Sequence, residues 1–325
     1  MSKNTEIVFI TGTGRSGTNI LKKIFSQHPD IASLPFEFRF TIDPDGILDF
    51  YNTYPNAWSP YGADHKIKRL ESFLLGLASQ SEEKRKKVEA SRSTDSLLMS
   101  GPSYAGWELD KHIPGYSNYV KELIKNLTSF QHAGVWPGTL EGSENNQMYF
   151  SAPMTKEELK PIISSFLQKC FDSILNQQGK RILQEDNTHN LLYASDLLSM
   201  FPAGKMIHIV RDPRDVISSL KTQRWAPNNI DNLITWYNAV MDQWQIQKSL
   251  LNREQFIEIR FEDLIATQEK IVNDLCDFLG INFNSEILNL DLSKHNIGRY
   301  EQDLSKEEIE KIELSCALAI KRYGY

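Results

Sequence analysis

Residues 9–25 read FITGTGRSGTNILKKIF. An apolar run, Ile7–Ile10, enters a glycine-rich turn, and an apolar-periodic helix follows. That is the strand–loop–helix layout of an anion-binding loop, in which backbone N–H groups and a helix N-terminus form a positive cradle. The nucleoside-triphosphate version of such a loop reads G-x-x-x-x-G-K-[ST]. Gly12 and Gly17 keep the glycine spacing, but Thr18 stands where the lysine would be. Without that lysine, and with no acidic magnesium partner after a later strand, a triphosphate is poorly served. A single phosphate or a phosphosulfate suits the loop better. Gly14, Arg15, Ser16, Gly17, Thr18 and Asn19 are the candidate ligands, Arg15 as a charged fork and the hydroxyls and amide as donors.

Working outward, the helix Asn19–Gln27 is stopped by His28-Pro29-Asp30, because proline disfavours helix at the residue before it. A short strand is expected at Ile31–Leu34. Residues 181–221 repeat this grammar: a strand at Arg181–Gln184, a polar loop, a helix at Leu191–Phe201, a strand at Met206–Val210, then a charged turn and another helix. A further strand is expected over 256–264, with a helix Thr267–Leu279 ended by Gly280. Strands alternating with helices imply crossover connections, hence an α/β fold: a parallel sheet with helices on both faces. Residues 41–160 break the pattern, being rich in turn formers and aromatics, with helices near 66–90 and 117–130. The expectation is one domain over 1–325, with 41–160 a mostly helical and irregular insertion over the carboxyl ends of the strands, where ligands bind.

A second anion cradle lies in VRDPRDVISS. Arg211 ends a strand, and Ser219 follows eight residues later, about two helical turns on. The planar guanidinium can bond two phosphate oxygens at once. The alternative is that Arg214 and Asp215 make surface salt bridges and Ser219 merely fills the helix. Two cradles on one sheet argue for a ligand with two separated anionic ends.

The whole chain bounds the rest. Its 325 residues suffice for a large core, and 40% apolar residues argue against disorder. A net charge of −6 gives no reason to expect nucleic acid. Cys170, Cys276 and Cys316 are few and scattered, as reduced core thiols are. No apolar run approaches the ~18 residues that span a membrane, and the first strand begins too early to leave room for a signal peptide. The expectation is a cytoplasmic protein without membrane attachment. His28, His65, His112, His132, His208 and His295 show no ligand spacing, so no metal is called for; the sequence leaves the oligomeric state open.

These residues resemble the sulfotransferases that use 3′-phosphoadenosine-5′-phosphosulfate (PAPS) as donor. TGTGRSGTNIL is similar to the family's 5′-phosphosulfate loop in the Arg-Ser-Gly-Thr form of Golgi and bacterial members. FPAGKMIHIVRDPRDVISSL is similar to its 3′-phosphate site, with Arg211 and Ser219 at the family's interval. IEIRFEDLIATQEKIVNDLCDFLGI resembles the strand–helix that follows, with Phe261 in place of a tyrosine. HNIGRYEQDLSKEEIEKI resembles the segment that folds over the nucleotide and makes Arg299 a further phosphate candidate. The resemblance covers roughly residues 5–40 and 180–325 and implies the P-loop-like sulfotransferase fold.

It also implies transfer of a sulfuryl group from PAPS, leaving 3′,5′-ADP, to a hydroxyl or amine of an acceptor, without a metal. Arg15 would take up charge at the leaving phosphate. Two residues compete as general base. Glu37, with Arg39 two positions on, is similar to the catalytic pair of tyrosylprotein sulfotransferases. His189, in DNTHN, is similar to the histidine of the Lys-Thr-His in cytosolic sulfotransferases, although the lysine is Asn187 here. The insertion's aromatics, Trp107 and Tyr116 among them with Trp58 and Trp136, and acids such as Asp43 and Asp45, could hold a small acceptor such as a specialised metabolite with guanidinium or amine groups, or equally pack the insertion's own core. Arg39, Trp107 and Tyr116 are the substrate candidates. The competing classes are a phosphotransferase acting on a small metabolite and a catalytically weak PAPS-binding protein.

Overall fold

The computed structural model describes residues 5–78, 107–134, 147–290, 292 and 296–325. Seven strands form among them: β1 Glu6–Thr11, β2 Ile31–Ala32, β3 Phe130–Ala133, β4 Gln147–Phe150, β5 Ile182–Glu185, β6 Lys205–Val210 and β7 Phe256–Arg260. The chain divides into two compact units, one of Met1–Ser33 with Lys180–Tyr325 and one of Leu34–Gly179.

The first unit is built on a five-stranded sheet in the order β2-β5-β1-β6-β7, with every neighbouring pair parallel. A parallel strand is buried on both sides, so it reads as a continuous apolar run. IVFI of β1 and MIHIV of β6 do so, with every one of these residues buried. Alternation then sorts the side chains. Val8, Ile10, Ile207, Ile209 and Ile259 meet Leu21, Ile24 and Phe25 of helix Thr18–Phe25 and Val272, Leu275 and Leu279 of helix Gln268–Leu279. On the other face Phe9 lies 6.2 Å from Phe201, and His208 lies 4.6 Å from Trp244 of helix Ile230–Ser249. Helices therefore cover both faces, giving the three layers expected. Because β5, β1 and β6 are adjacent and parallel, the segments that leave them share one edge of the sheet: the 186–190 loop, the glycine loop and Arg211.

Several boundaries differ from the sequence reading. β2 stops after two residues. The strand expected over 256–264 ends at Arg260, and Phe261–Ala266 is helical. The helix expected from Leu191 is a 3-10 turn over Thr188–Tyr193 and becomes an α-helix only over Ala194–Met200. Its cause is competition for backbone groups. The Thr188 carbonyl accepts the Gly12 N–H at 3.1 Å and the Thr11 hydroxyl at 2.8 Å, and Thr11 Oγ1 accepts the Leu191 N–H at 2.8 Å. These bonds tie the start of the segment to the end of β1.

The second unit is mainly helical. Helices Pro60–Ala78, Tyr116–Leu127 and Lys156–Gln178 accompany the antiparallel pair β3–β4. The helix expected over 66–90 begins earlier, at Pro60, and residues 79–90 lie outside those described. Thr155 and Glu158 form a reciprocal capping box at the start of the long helix, which Gly179 ends in the left-handed conformation. Asp64, fully buried, accepts the Tyr149 N–H at 2.8 Å and pairs with Lys68 at 3.0 Å, so the charge is not left bare.

Candidate active site

The glycine loop turns by left-handed backbone at Gly14 (φ 82), Arg15 (φ 58) and Gly17 (φ 112). Arg15 is one of three non-glycine residues so placed among the described residues, a conformation that costs energy and is tolerated where the surroundings impose it. At Gly12 there is no room for a side chain, since a Cβ would stand 2.1 Å from Ser16 Oγ. Ser16 is fully buried, and its hydroxyl has no hydrogen-bond partner among the described residues. A buried hydroxyl left in this state is costly, and a ligand oxygen would satisfy it. Thr18 is buried at the first position of the helix and Asn19 is exposed beside it.

The second cradle starts where β6 ends. Asp212 caps helix Pro213–Lys221 by accepting the Arg214 N–H at 2.8 Å, and Pro213 presets the first helical turn. Arg214 folds back onto Asp212 and reaches Glu313 at 2.6 Å; the Asp212 hydrogen bonds raise its pKa further above the ordinary value. Arg211 is buried, its guanidinium 5.0 Å from the centre of the Phe261 ring. Its Nη1 donates to the Arg15 carbonyl at 3.2 Å, and its Nη2 to the Asn296 carbonyl. Arg15 Nε in turn donates to Ser219 Oγ at 2.9 Å. The two cradles, distant in sequence, are thus in direct contact through Arg15. Arg211 Nε is buried without a partner among the described residues.

The loop after β5 stands beside them. Glu185 is fully buried and accepts the Asn187 N–H at 3.1 Å and the Asn190 side-chain amide. Asn187 Oδ1 takes the His189 N–H at 3.3 Å, while Asn187 Nδ2 is buried with no partner among the described residues. His189 is half-buried. Lys22 reaches back from the first helix to Asp186 at 2.9 Å.

Of the remaining candidates, Arg299 precedes helix Tyr300–Asp303, and its Nε pairs with Asp303 at 2.7 Å. Asp215 is no surface residue: it is 2% exposed, and both its oxygens are engaged. Its position four residues after Arg211 was the only sequence signal for it. In the second unit Glu37 pairs with Arg39 at 2.8 Å, and Arg39 also reaches Asp43 at 3.5 Å. Trp107 Nε1 donates to the Glu37 carbonyl at 3.1 Å. Tyr116 corrects the sequence reading: it is fully buried, packs on Phe40 and Phe166, and donates its hydroxyl to the Leu74 carbonyl at 3.1 Å. An aromatic at a helical core position fills the interior and offers no face to a substrate. Trp136 and His295 lie outside the described residues.

The profile described as "Sulfotransferase family" matches residues 7–285. Among curated proteins, the omega-hydroxy-beta-dihydromenaquinone-9 sulfotransferase of Mycobacterium tuberculosis is 26% identical over 192 residues, covering 54% of this chain and 48% of that protein. The 3-beta-hydroxysteroid sulfotransferase of Cavia porcellus is 26% identical over 138 residues, covering 36% and 47%. The chain spans about half the length of these relatives. Among solved structures, a sulfotransferase from Alicyclobacillus acidocaldarius is 17% identical with a TM-score of 0.47, covering 99% of this chain and 95% of that one. The family match extends from β1 past the helix that follows β7, and the chain belongs to the sulfotransferase family.

Proposed function

We propose that this chain is a cytoplasmic sulfotransferase that moves the sulfuryl group of PAPS to a hydroxyl of a small specialised metabolite. The observation that carries this reading is the contact between the two cradles, Arg15 Nε on Ser219 Oγ at 2.9 Å and Arg211 Nη1 on the Arg15 carbonyl at 3.2 Å. One ligand with an anion at each end would occupy both. The orphaned Ser16 hydroxyl and Arg211 Nε fit such a ligand as donors awaiting acceptors.

When bound, the donor supplies an activated sulfuryl group on a phosphate leaving group. The chain's residues do the rest. Gly14, Ser16, Gly17, Thr18 and Asn19 hold the phosphosulfate end through loop amides and short side chains. Arg211, Ser219 and Arg299 hold the 3′-phosphate. Arg15 supplies positive charge where the leaving group becomes more negative. Glu37 or His189 takes the acceptor proton, and Arg39 and Trp107 are the acceptor-binding candidates of the second unit. The names of both curated relatives carry a hydroxylated acceptor, which supports a hydroxyl over an amine.

The first test is a thermal shift with 3′,5′-ADP against ATP with Mg²⁺. A ligand at a hundred times its Kd stabilises by about 2.7 kcal/mol, a visible rise in melting temperature. Stabilisation by 3′,5′-ADP alone is the expected result. A response only to ATP with Mg²⁺ would transfer the chain to the phosphotransferase class. Magnesium-independent transfer of labelled sulfate from PAPS to an alcohol then separates an enzyme from a mere binder.

A further inference from the structure

Beside Arg211 sits a group that an anion site has no electrostatic use for. Asp215 Oδ2 lies 3.3 Å from Arg211 Nη2, and the carboxylate is almost wholly buried. A negative charge there repels a phosphate and neutralises part of the guanidinium meant to attract it. What Asp215 does instead is visible in its other bonds. Its Oδ2 accepts the Gly298 N–H at 2.9 Å, and its Oδ1 accepts the Tyr300 N–H at 3.2 Å. Both amides belong to one short segment and flank Arg299 on either side.

The rest of the segment is anchored to the same place. Arg211 Nη2 donates to the Asn296 carbonyl, the Arg214 guanidinium lies 4.6 Å from the centre of the Tyr300 ring, and Ser218 Oγ donates to Asp303 at 3.1 Å. Gly298 adopts φ 75, the turn that lets two amides two residues apart converge on one carboxylate. The Arg299 backbone is therefore held from both sides, while its side chain is half-exposed and pairs, among the described residues, with Asp303 Oδ2, which also accepts the Ser218 hydroxyl. To bind an anion the guanidinium would have to exchange that ion pair.

We propose that Asp215 is a positioning residue of the nucleotide site: by accepting the amides on both sides of Arg299 while pairing with Arg211, it holds the two arginines for one phosphate. This rests on the nucleotide reading given above. An asparagine at 215 keeps one acceptor oxygen, so one of the two amide bonds is lost and the other loses its charged partner, a change worth about tenfold or more in affinity.

The test is titration calorimetry of the full chain with 3′,5′-ADP, using Asp215→Asn, Arg299→Ala and the double variant. Pure electrostatics gives the opposite sign, because removing a negative charge beside a phosphate should tighten binding. We expect Asp215→Asn to weaken binding roughly tenfold or more, and to weaken it much less when Arg299 is already alanine. Equal or tighter binding by Asp215→Asn overturns the proposal, as does a loss undiminished in the Arg299→Ala background. Should Asp215→Asn fail to fold, amide hydrogen exchange of the wild-type chain decides. Slow exchange at Gly298 and Tyr300, slowed further by 3′,5′-ADP, upholds the clasp, and free exchange there overturns it. Failure of the wild-type chain to bind 3′,5′-ADP at all would instead remove the nucleotide reading, and this proposal with it.

Discussion

At Gly17 the anion loop meets both the sheet and the segment after β7, and a single methyl group measures how tightly. A Cβ at Gly17 would stand 2.5 Å from Phe261 Cδ2 and 3.1 Å from Ile209 Cδ1, on a backbone with φ 112. The left-handed backbone costs a non-glycine residue about 1–2 kcal/mol. Forcing a methyl group into a packed core costs about 1–3 kcal/mol. Restricting the unfolded chain returns about 0.4–1 kcal/mol. Gly17→Ala should therefore destabilise the first unit by about 3 kcal/mol, the centre of a range of about 1–4.6 kcal/mol. Gly280 is the internal control: it too is left-handed, with φ 71, but no atom lies within 4 Å of the position its Cβ would take. Gly280→Ala should cost only the strain, about 1 kcal/mol. The assay is urea unfolding followed by hydrogen exchange of β1 and β6 peptides, which reports the first unit alone. A shift in midpoint at unchanged slope reads stability directly. Equal shifts in the two variants would refute the close packing of the loop on Phe261 and Ile209.

Four further outcomes follow from the same geometry. Arg15→Ala should lower the rate of sulfuryl transfer by about 10²-fold or more, the scale for removing one preorganised donor, with the circular dichroism spectrum unchanged; full activity would remove Arg15 from the mechanism. A pH–rate profile of Glu37→Gln and His189→Gln identifies the base, since only loss of the true base abolishes the acidic limb. Tyr116→Phe should cost about 1 kcal/mol of stability for the lost bond to Leu74 and leave the apparent KM for the acceptor unchanged; a raised KM would return Tyr116 to the site. Burial alone would raise the pKa of Glu258, but hydrogen bonds from His208, Lys248 and Trp244 outweigh it and hold the carboxyl well below the usual range. A depressed carboxyl stabilises the fold above its unfolded value of about 4.3 and loses that contribution as pH falls below it, so the gap in urea midpoint between wild type and Glu258→Gln should narrow from pH 6 to pH 3.

What the sequence made legible follows from the range of the interactions involved. The strand–loop–helix around Gly12–Asn19 and the strand–turn–helix around Arg211 are local patterns, set by apolar runs, glycine spacing and a proline at the first helical turn. The bounds of their strands could be read to within a residue or two. The start of the helix after β5 could not, because bonds to Thr11, 177 and 180 residues away, decide it. Tyr116 was misread for a similar reason: an aromatic in a turn-rich stretch looks available until the helix beneath it forms and Leu74 takes its hydroxyl.

Asp215 is the most instructive of these residues. By charge alone it reads as a surface partner for a neighbouring arginine, and on an isolated helix that reading would be sound. Its two amide donors come from 83 and 85 residues further along, so no local pattern announces them. A carboxylate next to the proposed phosphate site can persist only where it does more by holding backbone than it loses by repelling ligand. The sign of the affinity change in Asp215→Asn therefore reports whether this site is tuned by charge or by position, which the arginine and serine spacing alone does not distinguish.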